Sequence, residues 1–147
     1  MITNQDILLL LTPGFPAAET DTTCLPLQQH LVLSMQQSFP DIKMVVLSFQ
    51  YPYVKKTYHW NSIPVISFNG RNRGGLHRLL LRRSIYATVA ALSRRNRIRG
   101  LLSCWYGECA YVGNKIAQAH SLKHRCWILG QDAKRKNKYP ARTGLQP

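Results

Sequence analysis

The most constraining feature of this chain is a short, uninterrupted apolar run close to its first residue. Residues Ile7–Leu11 read Ile-Leu-Leu-Leu-Leu, and the turn-forming segment Thr12-Pro-Gly-Phe-Pro16 follows directly. An apolar run without polar alternation, bounded by turn formers, predicts a strand that is covered on both faces. Strands of this kind belong to parallel sheets with helices packed on each side. The chain is therefore expected to adopt an α/β fold.

The remainder of the sequence alternates between apolar runs and helical patterns. Thr22 or Thr23 is expected to cap a first helix, in which Leu27, Leu31 and Met35 recur at helical spacing while the glutamines face water. The segment 54–60 fits no single pattern. Helices are predicted over 25–37, 76–95 and 106–120, and further strands over 43–49, 64–68, 98–103 and 125–129. This order predicts a Rossmann-like, open and mostly parallel sheet with helices on both faces.

A binding site is expected where the strands end. In open α/β sheets, ligands bind beyond the carboxyl ends of the strands. The corresponding loops here are 12–24, 50–53, 69–75, 104–108 and 130–134. Four of the six acidic residues fall in these loops, and they are Glu19, Asp21, Glu108 and Asp132. This concentration of carboxylates predicts a site that bonds to hydroxyl groups.

Two of these loops allow more than one interpretation. The first precedes a helix, whose free N–H groups suit phosphate or sugar hydroxyls. It lacks a G-x-G-x-x-G pattern, and Glu19 and Asp21 would repel a phosphate, so a loop that only caps the helix is an equal alternative. The loop 69–75 carries Arg71 and Arg73, which could fork onto a phosphate. An exposed loop without a ligand is the alternative there.

Positive charge dominates the sequence after residue 42. The net charge is +14, and all 20 Lys and Arg residues fall between Lys43 and Arg142. Such an excess favours anionic partners, namely nucleic acid, anionic lipid or a phosphorylated substrate. The run Lys134–Lys138 has only Tyr139 beside it for base stacking, and no RNA-binding signature accompanies it, so nucleic acid is the less favoured partner.

The predicted helix over 76–95 begins with an unusual distribution of leucines and arginines. Over Leu76–Tyr86 it is apolar around much of its circumference and is interrupted by Arg78, Arg82 and Arg83. A helix on a membrane surface shows this pattern, and so does a crossover helix with arginines that extend towards water. Peripheral contact with an anionic membrane is therefore retained as an alternative.

Other classes are disfavoured by what the sequence lacks. No run of eighteen apolar residues is present, and Ile7–Leu11 is too short for a signal-peptide core, so a cytoplasmic protein is expected, with a peripheral position at the inner face of the membrane as the variant. The four cysteines are expected to be reduced. Cys104, Cys109, His120 and His124 do not have zinc-finger spacing, so no metal site is expected.

Three segments in order carry a resemblance to a known family. They are Thr12-Pro-Gly-Phe-Pro16 with Asp21–Thr23, then Trp105-Tyr-Gly-Glu-Cys-Ala110, then Leu129-Gly-Gln-Asp-Ala133. Over about residues 5–139 the chain resembles the amino-terminal, acceptor-side domain of retaining glycosyltransferases of family 4, which have the GT-B fold. The resemblance implies one half of a GT-B enzyme. In such enzymes the first domain holds the acceptor and the second holds a nucleotide sugar.

The resemblance also implies roles for individual residues. Gln131 and Asp132 would face the transferred sugar, although many relatives have histidine where this chain has Gln131. Gly14 and the residues after it would form the loop that approaches the donor phosphates and the acceptor, and Glu108 would lie on the acceptor side at the start of a helix. Apart from the resemblance, Arg71 and Arg73 are the candidates for binding the phosphates of a nucleotide sugar. In the first loop, Ala17–Asp21 replaces a Gly-Gly pair of many relatives. The predicted substrate-binding residues are Gly14, Glu19, Asp21, Thr22, Trp105 and Glu108.

Together these patterns predict the role of the chain. Residues 1–139 would form the acceptor domain and 140–147 a tail, with no second α/β domain for the donor within the sequence. The domain would bind a glycan or lipid-linked acceptor, and it would be inactive without a donor domain or separate donor subunit. No cofactor is expected in this chain, because the nucleotide sugar is a substrate of the full enzyme. A stand-alone binding subunit and a basic nucleic-acid-binding domain are the alternatives.

Overall fold

The computed structural model describes residues 4–129, which form one six-stranded sheet with three helices. The element bounds follow the alternation expected from the sequence. In chain order the elements are β1 (Gln5–Gly14), α1 (Pro26–Ser38), β2 (Lys43–Tyr51), β3 (Lys56–Trp60), β4 (Ile63–Ser67), α2 (Gly75–Arg95), β5 (Asn96–Cys104), α3 (Glu108–His120) and β6 (His124–Trp127).

Strand β1 lies at the centre of the sheet, whose strand order is β3-β4-β2-β1-β5-β6. Leu9 of β1 is in register with Val45 of β2 on one side and Leu101 of β5 on the other, and both pairings are parallel. From β1 the chain builds outwards through β2 and β4, and α2 then returns it to β5 on the opposite side. Connections therefore diverge between β1 and β5, which is where open α/β sheets form a binding crevice.

Two hydrophobic layers cover the sheet. Leu9 and Leu11 of β1 pack with Ile85 of α2 and Val112 of α3 on one face. Leu10 points to the other face and packs with Val32 of α1. Because both faces are covered, every side chain from Leu9 to Leu11 is fully buried, which explains why the run shows no polar alternation. The Rossmann-like α/β architecture predicted from the sequence is confirmed.

The ambiguous segment 54–60 contains the antiparallel edge strand β3. Its residues are mostly exposed, but Trp60 at its end is buried and meets Phe15 edge-to-face, with 5.1 Å between ring centroids. Among the described residues, β3 pairs with β4 alone, in the antiparallel direction. An edge strand has one paired side and tolerates charged positions such as Lys56, so it lacks the apolar signature of the inner strands.

The predicted orientation of α1 is wrong. Leu27 is 53% exposed, whereas Gln28, Gln29 and Val32 are the buried residues of this helix. The Gln29 amide donates to the backbone carbonyls of Asp21 at 3.0 Å and Cys24 at 2.7 Å. These hydrogen bonds offset the cost of burying the amide, because they satisfy both of its N–H groups.

The predicted cap of α1 is also wrong. Leu25 occupies the N-cap position with φ 49°, and no side chain caps the helix, so neither Thr22 nor Thr23 has that role. Within residues 4–129 no helix is long and apolar enough to cross a membrane. The predicted domain end near residue 139 and the tail lie outside the described residues.

The two faces of α2 provide a test of this packing. Ile85 is fully buried against the sheet, while Leu80 on the same helix is 56% exposed. We expect Ile85→Ala to lower the free energy of unfolding by about 2–5 kcal/mol, because it leaves a cavity in the core. Leu80→Ala should change it by less than about 0.5 kcal/mol. Urea unfolding of both variants measures the difference, and equal losses would mean that α2 is rotated about its axis.

Candidate functional site

A cavity of about 260 Å³ opens at the carboxyl edge of the sheet, beside the divergence of β1 and β5. We call it the switch-point cavity. Loops that follow β1, β2, β4 and β5 all contribute to it, as the strand-end argument predicts. Its lining residues are Pro13, Gly14, Cys24, Leu25, Gln50, Tyr51, Tyr53, Asn72 and Trp105.

Backbone and side-chain hydrogen bonds hold the floor of the switch-point cavity. The buried Thr12 hydroxyl donates to the Gly14 carbonyl at 2.8 Å, and the Phe15 N–H donates to the Tyr51 carbonyl at 3.3 Å. Trp105 has φ 64°, a conformation that residues with large side chains rarely adopt. Its N–H donates to the Trp127 carbonyl at 2.9 Å, which ties the turn to β6. The predicted residues Gly14 and Trp105 are thus brought together.

The walls of the switch-point cavity combine aromatic rings with neutral amides. Tyr51 and Tyr53 meet edge-to-face with 5.3 Å between ring centroids, and Trp105 also faces the cavity. Gln50 accepts a hydrogen bond from the Asn72 N–H at 2.7 Å, which joins the β2 end to the loop after β4. Such walls suit a ligand with apolar C–H faces and hydroxyl edges, the two surfaces of a sugar ring.

Asp21 is engaged within its own loop. Its Oδ1 accepts hydrogen bonds from the Thr23 hydroxyl at 3.0 Å, the Thr23 N–H at 3.1 Å and the Cys24 N–H at 3.1 Å. These hydrogen bonds, that of the Thr23 hydroxyl foremost, lower the pKa of Asp21. The carboxylate therefore shapes the turn that carries Cys24 to the cavity, and Thr22 stands exposed beside it.

Glu19 lies away from the switch-point cavity. Its Oε1 accepts from the Asn61 N–H at 2.7 Å, in the turn between β3 and β4. The Tyr58 hydroxyl donates to the Pro16 carbonyl at 2.5 Å close by. Both contacts fasten the first loop to the edge of the sheet.

Glu108 begins α3 and faces Arg82 of α2. The two side chains form a bidentate ion pair with distances of 2.7 and 2.9 Å, and both are mostly buried. The Arg82 guanidinium also lies over the Tyr111 ring, 4.3 Å from its centroid. The hydrogen bonds to Glu108 raise the pKa of Arg82. Glu108 is thus placed between helices and does not line the switch-point cavity; its substrate role stays a prediction.

Arg71 and Arg73 diverge to two different places. Arg71 donates to the Asn69 side chain at 2.8 Å and to the Tyr53 carbonyl at 3.1 Å, and it lies over the Tyr53 ring at the rim of the switch-point cavity. Arg73 lines a second cavity, of about 180 Å³, against α2. Gln131 and Asp132 lie outside the described residues, so their roles stay predictions.

A half-buried serine–histidine pair was not expected from the sequence. Ser103 Oγ and His124 Nε2 are 2.7 Å apart, and the hydroxyl donates to the Cys109 carbonyl at 3.0 Å. The donor in the contact between Oγ and Nε2 is set by the tautomer of the imidazole. The pair therefore joins β5, β6 and α3 mechanically.

Burial keeps the cysteine thiols in their neutral, less reactive form. Burial raises the pKa of Cys104 to about 12 and also raises the pKa of Cys24, so both are neutral thiols near neutral pH. In the part of the chain that the structure describes, no group of three or more His, Cys, Asp or Glu residues could hold a metal ion. The switch-point cavity can therefore bind a ligand through aromatic rings and neutral amides.

Comparison with known proteins finds a similar fold among the solved structures. No family model and no curated protein matches the chain. Among solved structures, the chain is similar to a UGT transferase from Siraitia grosvenorii in complex with UDP, with a TM-score of 0.57 and 15% sequence identity. The likeness covers 84% of this chain and 24% of the transferase, so the chain spans about a quarter of that protein's length.

This likeness concerns the fold. At 15% identity, it shows that the domain shares a Rossmann-like architecture with part of a glycosyltransferase, which fits one half of a GT-B fold. It does not single out family 4, which the motifs in the sequence suggested.

The ion pair between α2 and α3 predicts a measurable coupling. We expect Glu108→Gln to lower the free energy of unfolding by about 1–3 kcal/mol, because Arg82 then keeps its buried position without a charged partner. Asp6→Asn, which breaks the more exposed pair with Arg97, is the control and should cost less. A double-mutant cycle with Arg82→Gln measures the coupling, and a coupling near zero would contradict the structural role of Glu108.

His124 predicts a component of acid sensitivity. Burial lowers its pKa below 6.5. As the pH falls past 6.5, the unfolded chain therefore binds more protons than the folded chain. Stability contributed by the neutral imidazole is present above pH 6.5 and is lost towards lower pH. We expect His124→Gln to lose less stability than the wild type between about pH 7.5 and about pH 5 in urea unfolding.

The control for that experiment is His30→Gln, which changes an exposed histidine on α1. A difference between the two variants therefore reports on the burial of His124 and not on the loss of a histidine as such. An unchanged pH dependence in His124→Gln would show that this imidazole is not held neutral by burial.

Proposed function

We propose that this domain binds the acceptor of a glycosyl transfer in the switch-point cavity. The acceptor would be a glycan or a lipid-linked sugar, and the donor a nucleotide sugar held by another domain or a separate subunit. The observation that carries this proposal is an aromatic-walled cavity at the carboxyl edge of a sheet that shares its fold with part of a UGT transferase. The resemblance of the sequence to family 4 supports the acceptor side.

The lining of the switch-point cavity supports a neutral, hydroxyl-rich ligand. Tyr53 and Trp105 can pack against the C–H face of a sugar ring, while the amides of Gln50 and Asn72 can bond to its hydroxyls. The Cys24 thiol stays neutral and adds no charge. The carboxylates of Asp21 and Glu108 are hydrogen-bonded to other protein groups. The aromatic rings and amides therefore remain as the groups that recognise the ligand.

A phosphate on the ligand would find its partner at the rim. Arg71 uses two of its five N–H donors on Asn69 and Tyr53, so further donors are left for an anion. This placement supports a lipid-linked phosphate on the acceptor. We further propose that Gln131 and Asp132 contact the transferred sugar, as the resemblance to family 4 implies.

Two exposed aromatic residues make a matched test. Tyr53 is 58% exposed and lines the switch-point cavity, while Phe39 is 56% exposed and follows α1 at the amino edge of the sheet. We expect a ¹⁵N-labelled chain to show saturable chemical-shift changes at the cavity residues with at least one member of a panel of methyl glycosides. Tyr53→Ala should weaken that binding about tenfold, and Phe39→Ala should leave it unchanged.

UDP alone serves as the second ligand in the same titration. The acceptor assignment predicts no saturable change with UDP at these residues. Saturable UDP binding in the switch-point cavity would assign the domain to the donor side instead. Absence of binding by every glycoside, or an equal loss in Tyr53→Ala and Phe39→Ala, would contradict the proposal.

A further inference from the structure

The first half of α2 exposes three leucines on one face. Leu76, Leu79 and Leu80 are 69%, 62% and 56% exposed, and their spacing places them together on the helix surface. We call them the leucine face. Leu81, Ile85 and Val89 form the opposite, buried face of the same helix. An exposed apolar cluster of this kind usually marks an interaction site.

Positive side chains flank the leucine face. Arg83 lies one turn further along it, and Arg73 and Lys55 line a cavity that also contains Leu80. Between residues 43 and 129 the sequence has one acidic residue, Glu108, and its carboxylate is engaged by Arg82. Within residues 43–129, no further carboxylate is therefore present to balance the positive charge around the first turns of α2.

A basic cavity adjoins the leucine face. It measures about 180 Å³ and includes Lys55, Arg73 and His77 in its lining. The Lys55 ammonium donates to the Ser84 hydroxyl at 3.0 Å, which holds it against α2. Leu80 belongs both to the leucine face and to the lining of the basic cavity, so the two form one continuous surface.

We infer that this surface docks the domain onto an anionic lipid bilayer. The three leucines enter the boundary between headgroups and acyl chains, and Lys55 and Arg73 bind a lipid headgroup phosphate in the basic cavity. Exposed leucines rimmed by arginines are what an interfacial helix requires, since burial of apolar area and attraction to anionic lipid act together. A nucleic acid would use the charges but leave the leucines in water, and the core of a protein interface is depleted in lysine.

Docking in this way gives the domain a defined orientation. Asn72 lines the switch-point cavity, and Arg73, the next residue, lines the basic cavity. The loop between β4 and α2 thus separates the two, and both open near the carboxyl edge of the sheet. A domain docked through α2 would hold the switch-point cavity near the membrane surface, within reach of a lipid-linked ligand. The docking itself does not depend on that ligand.

Sedimentation with lipid vesicles tests the apolar part of the surface. We expect the chain to bind vesicles of phosphatidylcholine with about 30 mol% phosphatidylglycerol and to bind pure phosphatidylcholine much more weakly. The double variant Leu76→Ser with Leu79→Ser should lose at least about tenfold in partitioning. Leu27→Ser is the matched control, because Leu27 is 53% exposed on α1, across the sheet from α2.

Two charge-matched variants test the polar part. Arg73→Gln with Arg83→Gln removes two positive charges at the proposed surface, and Arg94→Gln with Arg95→Gln removes two at the far end of the same helix. The first pair should lower vesicle binding several-fold more than the second. Unfolding midpoints close to that of the wild type would confirm that all these variants are folded.

Several results would overturn the docking surface. Equal losses for both arginine pairs, or no effect of the leucine variants, would leave only diffuse electrostatic attraction and overturn the docking surface. Binding to single-stranded RNA that exceeds vesicle binding and ignores the leucine variants would replace it with a nucleic-acid surface. Tyr53→Ala should retain wild-type vesicle binding, so failure of the acceptor proposal and failure of this one are separately visible.

Discussion

The parallel pairing of β1 on both of its sides determines where the remaining elements can lie. Its backbone is hydrogen-bonded to β2 and β5, and its side chains from Leu9 to Leu11 are fully buried between two helical layers. A strand so enclosed cannot shift register without moving leucines from one core to the other. Its carboxyl end at Gly14 therefore meets the ends of β2 and β5 at one edge, and the switch-point cavity forms there.

Signals that depend on the local sequence were sufficient for most of the architecture. Unbroken apolar runs located β1 and β2 because both faces of these strands are buried. The orientation of α1 could not be predicted from the local sequence. Burial of Gln29 depends on two carbonyls of the preceding loop, Asp21 and Cys24, and this acceptor pair exists only once the loop has folded. Leu27 is displaced to the surface as a consequence.

Prediction of the candidate site was less complete because it relied on carboxylates. Asp21 bonds to its own loop, Glu19 to Asn61, and Glu108 to Arg82, so three of the four selected acids have structural partners. Partners 42 and 26 residues away cannot be read from local pattern. The cavity walls are instead tyrosines and amides at the end of β2, just after it, and in the loop after β4. The strand-end argument identified these segments, but they contain no acidic residue. Gly14 and Trp105 were found because they belong to recognisable strand-end motifs.

The exposure of the leucine face follows from helix geometry. Leu81, Ile85 and Val89 are four residues apart and must face the sheet together, since they fill the layer above Leu9 and Leu11. With 3.6 residues per turn, Leu76, Leu79 and Leu80 then point to the opposite side. No rotation of α2 could bury both sets against one sheet. A helix with two apolar faces therefore leaves one of them exposed, where it can contact a surface outside the described domain. The arginines beside this face favour a surface with negative charge.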